Sequence, residues 1–75
     1  PGLRRAILDC IGGLSRKPAA ALAARLRGDG AEPDRVLAER IGMTRNTFLQ
    51  NIVRARRFLA ECLESKGISP KEYGV

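Results

Sequence analysis

Apolar side chains return every three or four residues in four separate stretches of this 75-residue chain, and glycine or proline lies between the stretches. That spacing places the apolar side chains on one side of an α-helix. None of the stretches has the alternating pattern and the β-branched and aromatic enrichment that are typical of a β-strand. The pattern therefore predicts an all-α fold, a small four-helix domain.

Glycine and proline mark the expected ends of the first two helices. The first helix weakens at Gly12, because glycine has a low helix propensity. The second begins around Pro18, which a first helical turn tolerates, and ends at Gly28. We expect Leu22 and Leu26 to point inward from the second helix. The apolar stripe of the first helix comprises Leu3, Ile7, Cys10, Ile11 and Leu14.

A short third helix and a long fourth helix follow. Pro33 starts the third helix, and Gly42 after it supplies a left-handed position that other residues adopt only at a cost. Thr44 can cap the fourth helix, which is expected to run to about Lys66. The inward side chains of the third helix are expected to be Val36, Leu37 and Ile41.

The helical pattern predicts one domain over residues 1–67, with a helix-turn-helix over about 34–65. Gly67 and Pro70 end the fourth helix, and we expect the tail over residues 68–75 to be disordered. The chain begins at Pro1 without an initiator Met. We therefore expect it to be a domain excised from a longer protein.

Charge and composition narrow the classes of function. The chain carries 14 Lys and Arg against 8 Asp and Glu, a net charge of +6, and it has no His. A domain this small does not enclose a large active site, and the absence of His removes the commonest general base and metal ligand. We expect a basic binding domain without catalytic activity, cofactor or metal.

The two cysteines and the hydropathy of the chain indicate the cellular compartment in which the protein is expected. Cys10 and Cys62 alone do not complete a four-ligand zinc site, and they are too few for a disulfide scaffold. Both lie on apolar stripes, so we interpret them as small buried apolar residues in a reducing, cytoplasmic setting. No apolar run approaches the roughly 18 residues of a membrane span, and we expect no signal peptide.

Residues 34–52 have the spacing of a helix-turn-helix. A small residue at Ala38 lets the second helix cross close to the first, and Gly42 makes the sharp turn. Met43, Phe48 and Ile52 then fill the angle between the two helices. A plain helical hairpin has the same apolar periodicity, so the spacing alone leaves both interpretations open.

Turning each residue of the fourth helix by 100° separates two faces. The outward face has groove-reading chemistry, since Gln and Asn pair with adenine, Arg pairs with guanine or phosphate, and Val contacts a thymine methyl. The inward face comprises Phe48, Ile52, Ala55, Leu59 and Leu63, and the outward face comprises Asn46, Gln50, Val53, Arg54 and Arg57.

The start of the fourth helix adds a candidate phosphate site. Thr44, Arg45 and Thr47 lie where free backbone amides and the positive end of the helix dipole favour anions. The alternative is an ordinary solvated polar face. That alternative explains poorly why residues 44–60 carry four cations and no acid, because solvated helices usually interleave both signs.

The stretch from Asp34 to Leu63, DRVLAERIGMTRNTFLQNIVRARRFLAECL, resembles the DNA-binding half of region 4 of bacterial sigma-70-type RNA polymerase sigma factors, especially the extracytoplasmic-function group. The segment LAERIGMTRNTF is similar to the family's "IA..lg.s.gTV", and IVRARRFL is similar to its "l.RAr..L". Residues 3–26 stand where the preceding helical pair of region 4 lies, so the resemblance covers most of the chain.

The resemblance implies a fold, a partner and a set of contacts. Region 4 recognises the promoter minus-35 element with its last helix while it docks on the flap of the polymerase β subunit. Leu49 and Asn51 occupy places where many members carry basic or small polar residues. The positions that match the family's DNA-contacting residues are Arg45, Asn46, Thr47, Gln50 and Arg54.

We therefore expect a monomeric promoter-recognition domain of a sigma factor, acting in transcription initiation. Two other classes remain open. A helix-turn-helix output domain of the response-regulator type dimerises and protects two half-sites. A sigma-mimicking module binds an anti-sigma factor through apolar side chains and tolerates the loss of Gln50 and Arg54. An enzyme is the least favoured class, since no nucleophile and base pair is evident.

Overall fold

The computed structural model describes residues 2–28 and 30–68, and within these ranges the chain forms four α-helices and no β-strand. The helices are α1 (Gly2–Gly12), α2 (Arg16–Arg27), α3 (Asp34–Arg40) and α4 (Arg45–Ser65). The predicted all-α fold is confirmed. No helix in the described ranges combines the length and the apolar character needed to cross a bilayer. Of the tail expected to be disordered over residues 68–75, Ile68 is described, and its amide donates to the Leu63 carbonyl at 3.0 Å, while residues 69–75 lie outside these ranges.

Local sequence signals set the helix ends near their predicted places. Pro18 lies in the first turn of α2, and Pro33 directly precedes α3. Gly42 has φ +73°, the left-handed conformation expected of it. The Met43 amide then donates to the Ala38 carbonyl at 2.9 Å. These features end α3 and turn the chain into α4 within four residues.

The described core consists of two apolar clusters along α4. The first cluster lies between α2, α3 and the N-terminal half of α4, and the second joins α1 to the C-terminal half of α4. The first comprises Ala21, Ala24, Leu37, Ala38, Phe48 and Ile52, with Ile41, Met43 and Leu49 packed against it. The second comprises Ala6, Cys10 and Leu63, with Ile7, Leu59, Cys62 and Ile68 packed against it.

Phe48 is the largest side chain of the first cluster and is fully buried. The Arg25 guanidinium of α2 lies over its ring, 5.6 Å from the centroid. The same guanidinium donates to the Asp34 carboxylate at 2.7 Å, at the start of α3. Phe48 and Arg25 together therefore tie α2, α3 and α4 to one another, and Phe48 occupies the core position that the sequence predicts.

The prediction that Leu26 points inward is wrong. Its side chain is 68% exposed, and the buried residues of α2 are instead Pro18, Ala21 and Ala24. Two residues on from Ala24, Leu26 is rotated by about 160° from it around the helix axis. Small side chains face α4 because they let the two helix backbones approach closely.

The interpretation of the two cysteines as separate buried thiols is also wrong. Cys10 and Cys62 form a disulfide with a Cα–Cα distance of 5.9 Å across 52 residues of sequence. Cys10 is buried and Cys62 is half-buried. The bond forms because α1 packs along the C-terminal half of α4. It also removes the thiol argument on which the expected reducing environment rested.

Candidate nucleic-acid interface

The N-terminal half of α4 presents one continuous exposed face. Asn46, Gln50, Val53, Arg54 and Arg57 are all exposed, and Val53 keeps 51% of its surface open. The opposite face is buried or half-buried over all five apolar positions that the helical rotation assigns to it. The structure thus brings the five predicted groove-facing side chains together on a surface that no other described helix covers.

The first turn of α4 is shaped by its threonines. Thr44 Oγ1 accepts a hydrogen bond from the Thr47 amide at 3.1 Å and donates to Thr47 Oγ1 at 3.1 Å. The predicted cap is therefore confirmed, and the Thr44 hydroxyl proton is used inside the protein. Within the described ranges the amides of Arg45 and Asn46 make no backbone hydrogen bond, as expected at a helix start. These two amides and the Thr47 hydroxyl remain able to donate outward.

Ion pairs within the domain engage the acids of the α2–α3 loop and of α3. Each of the three carboxylates between residues 32 and 39 is paired with an arginine on α2 or α3. The pairs are Glu32 with Arg40, Asp34 with Arg25, and Glu39 with Arg35. No carboxylate of the described ranges lies within ion-pair distance of the α4 cations, which are Arg45, Arg54, Arg56 and Arg57. The face of α4 therefore keeps its full positive charge.

A groove extends the basic surface from α4 to α2. Arg16 and Lys17, in the first turn of α2, line it together with Thr44 and Thr47. No acid lies in the first turn of either helix. Cations at a helix N-terminus are unfavourable by a few tenths of a kcal/mol each, because they face the positive end of the dipole. Two helix starts and two such cations thus converge on one open groove, an arrangement suited to an anion.

The exposed stripe of α4 changes sign toward its C-terminus. Glu61 and Glu64 follow Arg57 on the same side of the helix and are exposed. The acid-free part from Arg45 to Arg57 is about 18 Å long at the helical rise. A polyanion therefore meets favourable charge only along the first half of α4.

Asn51 lies on the buried side of α4, away from the candidate interface. It is 1% exposed, and its Nδ2 donates to the Thr47 carbonyl at 2.9 Å and lies 4.0 Å from Met43 Sδ. Its Oδ1 has no hydrogen-bond partner among the described residues. Leu49 is half-buried against the first cluster. Both side chains thus contribute to packing around the turn.

The sequence assigns no environment to Asn51, and it leaves open whether Arg16 and Lys17 extend a DNA-binding surface or serve only solubility. Asn51 follows Phe48 by three residues and precedes Ala55 by four, so helical spacing alone carried the signal for its burial. Arg16 and Lys17 gave no comparable signal, because only the packing of α2 brings them beside Thr44. No group of three or more acids and cysteines suited to a metal occurs in the described ranges.

The chain matches no protein-family model, no curated protein and no solved structure.

Proposed function

We propose that this domain binds DNA through the exposed face of α4, with α3 and α4 acting as a helix-turn-helix. The observation that supports this proposal most directly is an exposed, acid-free face of α4 that the other described helices do not cover. It comprises Asn46, Gln50, Val53, Arg54 and Arg57. The acids of the α2–α3 loop and of α3 are engaged in internal ion pairs, and the acids of α4 begin only at Glu61, so the charge of the face up to Arg57 is not offset within it. A positive, side-chain-rich helix face fits the major groove of a duplex.

In this proposal different groups position the domain and select the sequence. Phosphates are held at the groove between the two helix starts, by Arg16, Lys17 and the outward amides of α4. Asn46 and Gln50 pair with adenine, Arg54 pairs with guanine, and Val53 contacts a thymine methyl. Arg57 is the last cation before Glu61 and holds phosphate where α4 leaves the groove.

The resemblance to sigma region 4 makes the proposal specific. The domain is then the monomeric, cytoplasmic promoter-recognition domain of a bacterial sigma factor, without catalytic activity of its own, and its DNA is a minus-35 element. The polymerase β flap is assigned to the apolar surface of the first two helices. Leu8 on α1, 59% exposed, and Leu26 on α2 support this assignment, since both are large apolar side chains open to solvent.

Exposed apolar side chains also favour a second candidate, a sigma-mimicking module that binds an anti-sigma factor without touching DNA. Val53 at 51% and Phe58 at 39% exposure extend the open apolar surface onto α4 itself. The two candidates differ in what they require of Gln50 and Arg57. The DNA-binding candidate needs both side chains, whereas the interaction module tolerates their loss.

Gln50→Ala and Arg57→Ala are expected to weaken DNA binding in different ways. Gln50 is uncharged and central on the exposed face, so its loss should cost about 1 to 3 kcal/mol on the preferred sequence and little on random DNA. Arg57→Ala should weaken all sequences alike and lower the salt slope by about one unit. Titrations at several low salt concentrations, with a sequence selected from random DNA, measure both effects.

The outcomes of this titration separate the candidates. If both variants bind every sequence as well as the parent chain, the DNA-binding proposal fails and the interaction module replaces it. If the parent chain protects two half-sites as a dimer, the output-domain class is favoured over the monomeric sigma domain.

A matched pair of variants on α2 tests whether the groove between α2 and α4 binds phosphate. Arg16→Ala is expected to weaken binding to all DNA sequences and to lower the salt slope by about one unit, because a phosphate contact is lost. Arg27→Ala removes the same charge at the other end of α2, about 16 Å away at the helical rise. It should leave the affinity and the slope close to those of the parent. Equal effects of the two variants would mean that net charge, and not the groove, controls binding.

A further inference from the structure

We propose that the Cys10–Cys62 disulfide is a redox switch: its reduction and reoxidation control whether α1 stays docked on α4. The bond joins these two helices and lies in the second apolar cluster. The first cluster, which holds α2, α3 and the N-terminal half of α4, contains no cysteine. Opening the bond therefore acts on one end of the domain. This inference does not depend on DNA binding.

Among the described helices, few contacts other than those with α4 hold α1 in place. Among the described helices α1 packs mainly on α4, and three residues complete the buried part of their shared cluster: Ala6, Cys10 and Leu63. A second close approach lies at Gly13, where an added Cβ would come 3.1 Å from Phe58 Cζ. Gly13 lies three residues from Cys10 and Ala6 lies four, so the bond is in the part of the chain that contacts α4.

α1 is also a weak helix by itself. It has 11 residues, a glycine at each end, no acid in its first turn and no base in its last turn. Arg4 and Arg5 lie near its start, where the helix dipole disfavours cations. Isolated helices shorter than about 12 to 15 residues are marginal in water, so the helicity of α1 depends on its docking.

A thiol reductant reaches the bond from the α4 side, because Cys62 is half-buried whereas Cys10 is 1% exposed. A thiolate of a dithiol reductant attacks Cys62 Sγ, the S–S bond breaks, and Cys10 Sγ leaves as a thiolate that takes up a proton. The second thiol of the reductant then displaces Cys62 from the mixed disulfide. The protein gains two thiols and the reductant becomes a disulfide, so electrons and protons balance.

Opening the bond leaves α1 held by a few apolar contacts, and α1 undocks. The apolar strip of Leu59, Cys62 and Leu63 on α4 then becomes exposed. Gly42, the Thr44 cap and Phe48 belong to the other end of α4 and keep their arrangement. The domain therefore has two forms that differ at α1 and share the exposed face of α4.

NMR of the full chain tests this device. The ¹³Cα chemical shifts report helix population residue by residue, in the oxidised chain and after reduction with a phosphine. On reduction α1 is expected to lose most of its helical shift, while α2, α3 and residues 45–57 keep theirs, and reoxidation restores α1. A Cys10→Ala/Cys62→Ala variant is the control and should resemble the reduced form with or without the phosphine.

Three results would overturn the proposal. The first is an unchanged α1 in a chain whose mass confirms reduction, since the apolar contacts would then suffice. The second is the loss of helical shifts in all four helices, since the bond would then be a staple for the whole domain. The third is alkylation of both cysteines in the untreated, folded chain, since no bond would then exist to open.

Discussion

Phe48→Ala is expected to lower the free energy of unfolding by about 3 to 5 kcal/mol, the range for truncating a buried phenylalanine. The ring is fully buried between α2, α3 and α4, and the Arg25 guanidinium covers it. Truncation leaves a cavity in the larger cluster and removes the cation–π contact. The total stability of a native domain is about 5 to 15 kcal/mol, so the variant should unfold at much lower urea concentration.

Phe58→Ala is the matched control, since it removes the same atoms from the same helix. Phe58 is 39% exposed, so its truncation should cost about 1 kcal/mol. Urea titrations followed by circular dichroism compare the two variants with the parent. A loss for Phe48→Ala no larger than the loss for Phe58→Ala would contradict the packing of α2 and α3 around α4.

Asn51→Asp is expected to be the second most damaging change, at about 2 to 4 kcal/mol at neutral pH. The substitution removes the Nδ2 donor to the Thr47 carbonyl and buries a carboxylate beside that oxygen. Oδ1 already lacks a hydrogen-bond partner among the described residues, so no donor is in place to hold the new charge.

The loss should depend on pH. Burial raises the pKa of the introduced carboxyl in the folded state above its unfolded value of about 3.9. The charge penalty is absent below that value, where both states are protonated. It grows by up to about 1.4 kcal/mol per pH unit as the pH rises, until the pH passes the folded-state pKa.

Asn46→Asp supplies the control for this pair of measurements. Asn46 is exposed in the first turn of α4, where a carboxylate is favourable. Its replacement should leave the melting temperature unchanged or slightly raised at pH 7. Thermal melts of both variants at pH 4 and pH 7 test the contrast. Equal melting temperatures at pH 7 would show that Asn51 is not enclosed as the structure has it.

Local signals predicted most of the helical framework. Gly42 adopts the left-handed conformation, Thr44 caps α4, and Pro18 lies in the first turn of α2. Each of these features depends on one residue and its immediate neighbours, which is why the linear sequence suffices to predict it. The separation of α4 into a buried and an exposed face followed in the same way from the helical repeat.

Sequence patterns predicted less well which side of a helix packs against its neighbours. Leu26 is apolar, yet the side of α2 that meets α4 is the side with small residues, so Leu26 remains open. Asn51 is polar, yet its position between Phe48 and Ala55 buries it. For Leu26 the residue type predicted burial, and the rotation of the packed helix imposed exposure. For Asn51, whose environment the sequence did not predict, the same rotation imposed burial.

The sequence by itself determined the four helices, the turn between α3 and α4, and the acid-free face of α4, because periodicity, capping and charge order are local properties. Tertiary structure alone decided the pairing of Cys10 with Cys62, across 52 residues of sequence, and the placement of Arg16 and Thr44 along one groove. Both depend on how α1 and α2 lie along α4. That arrangement is set by the summed fit of many side chains, which the one-dimensional pattern does not contain.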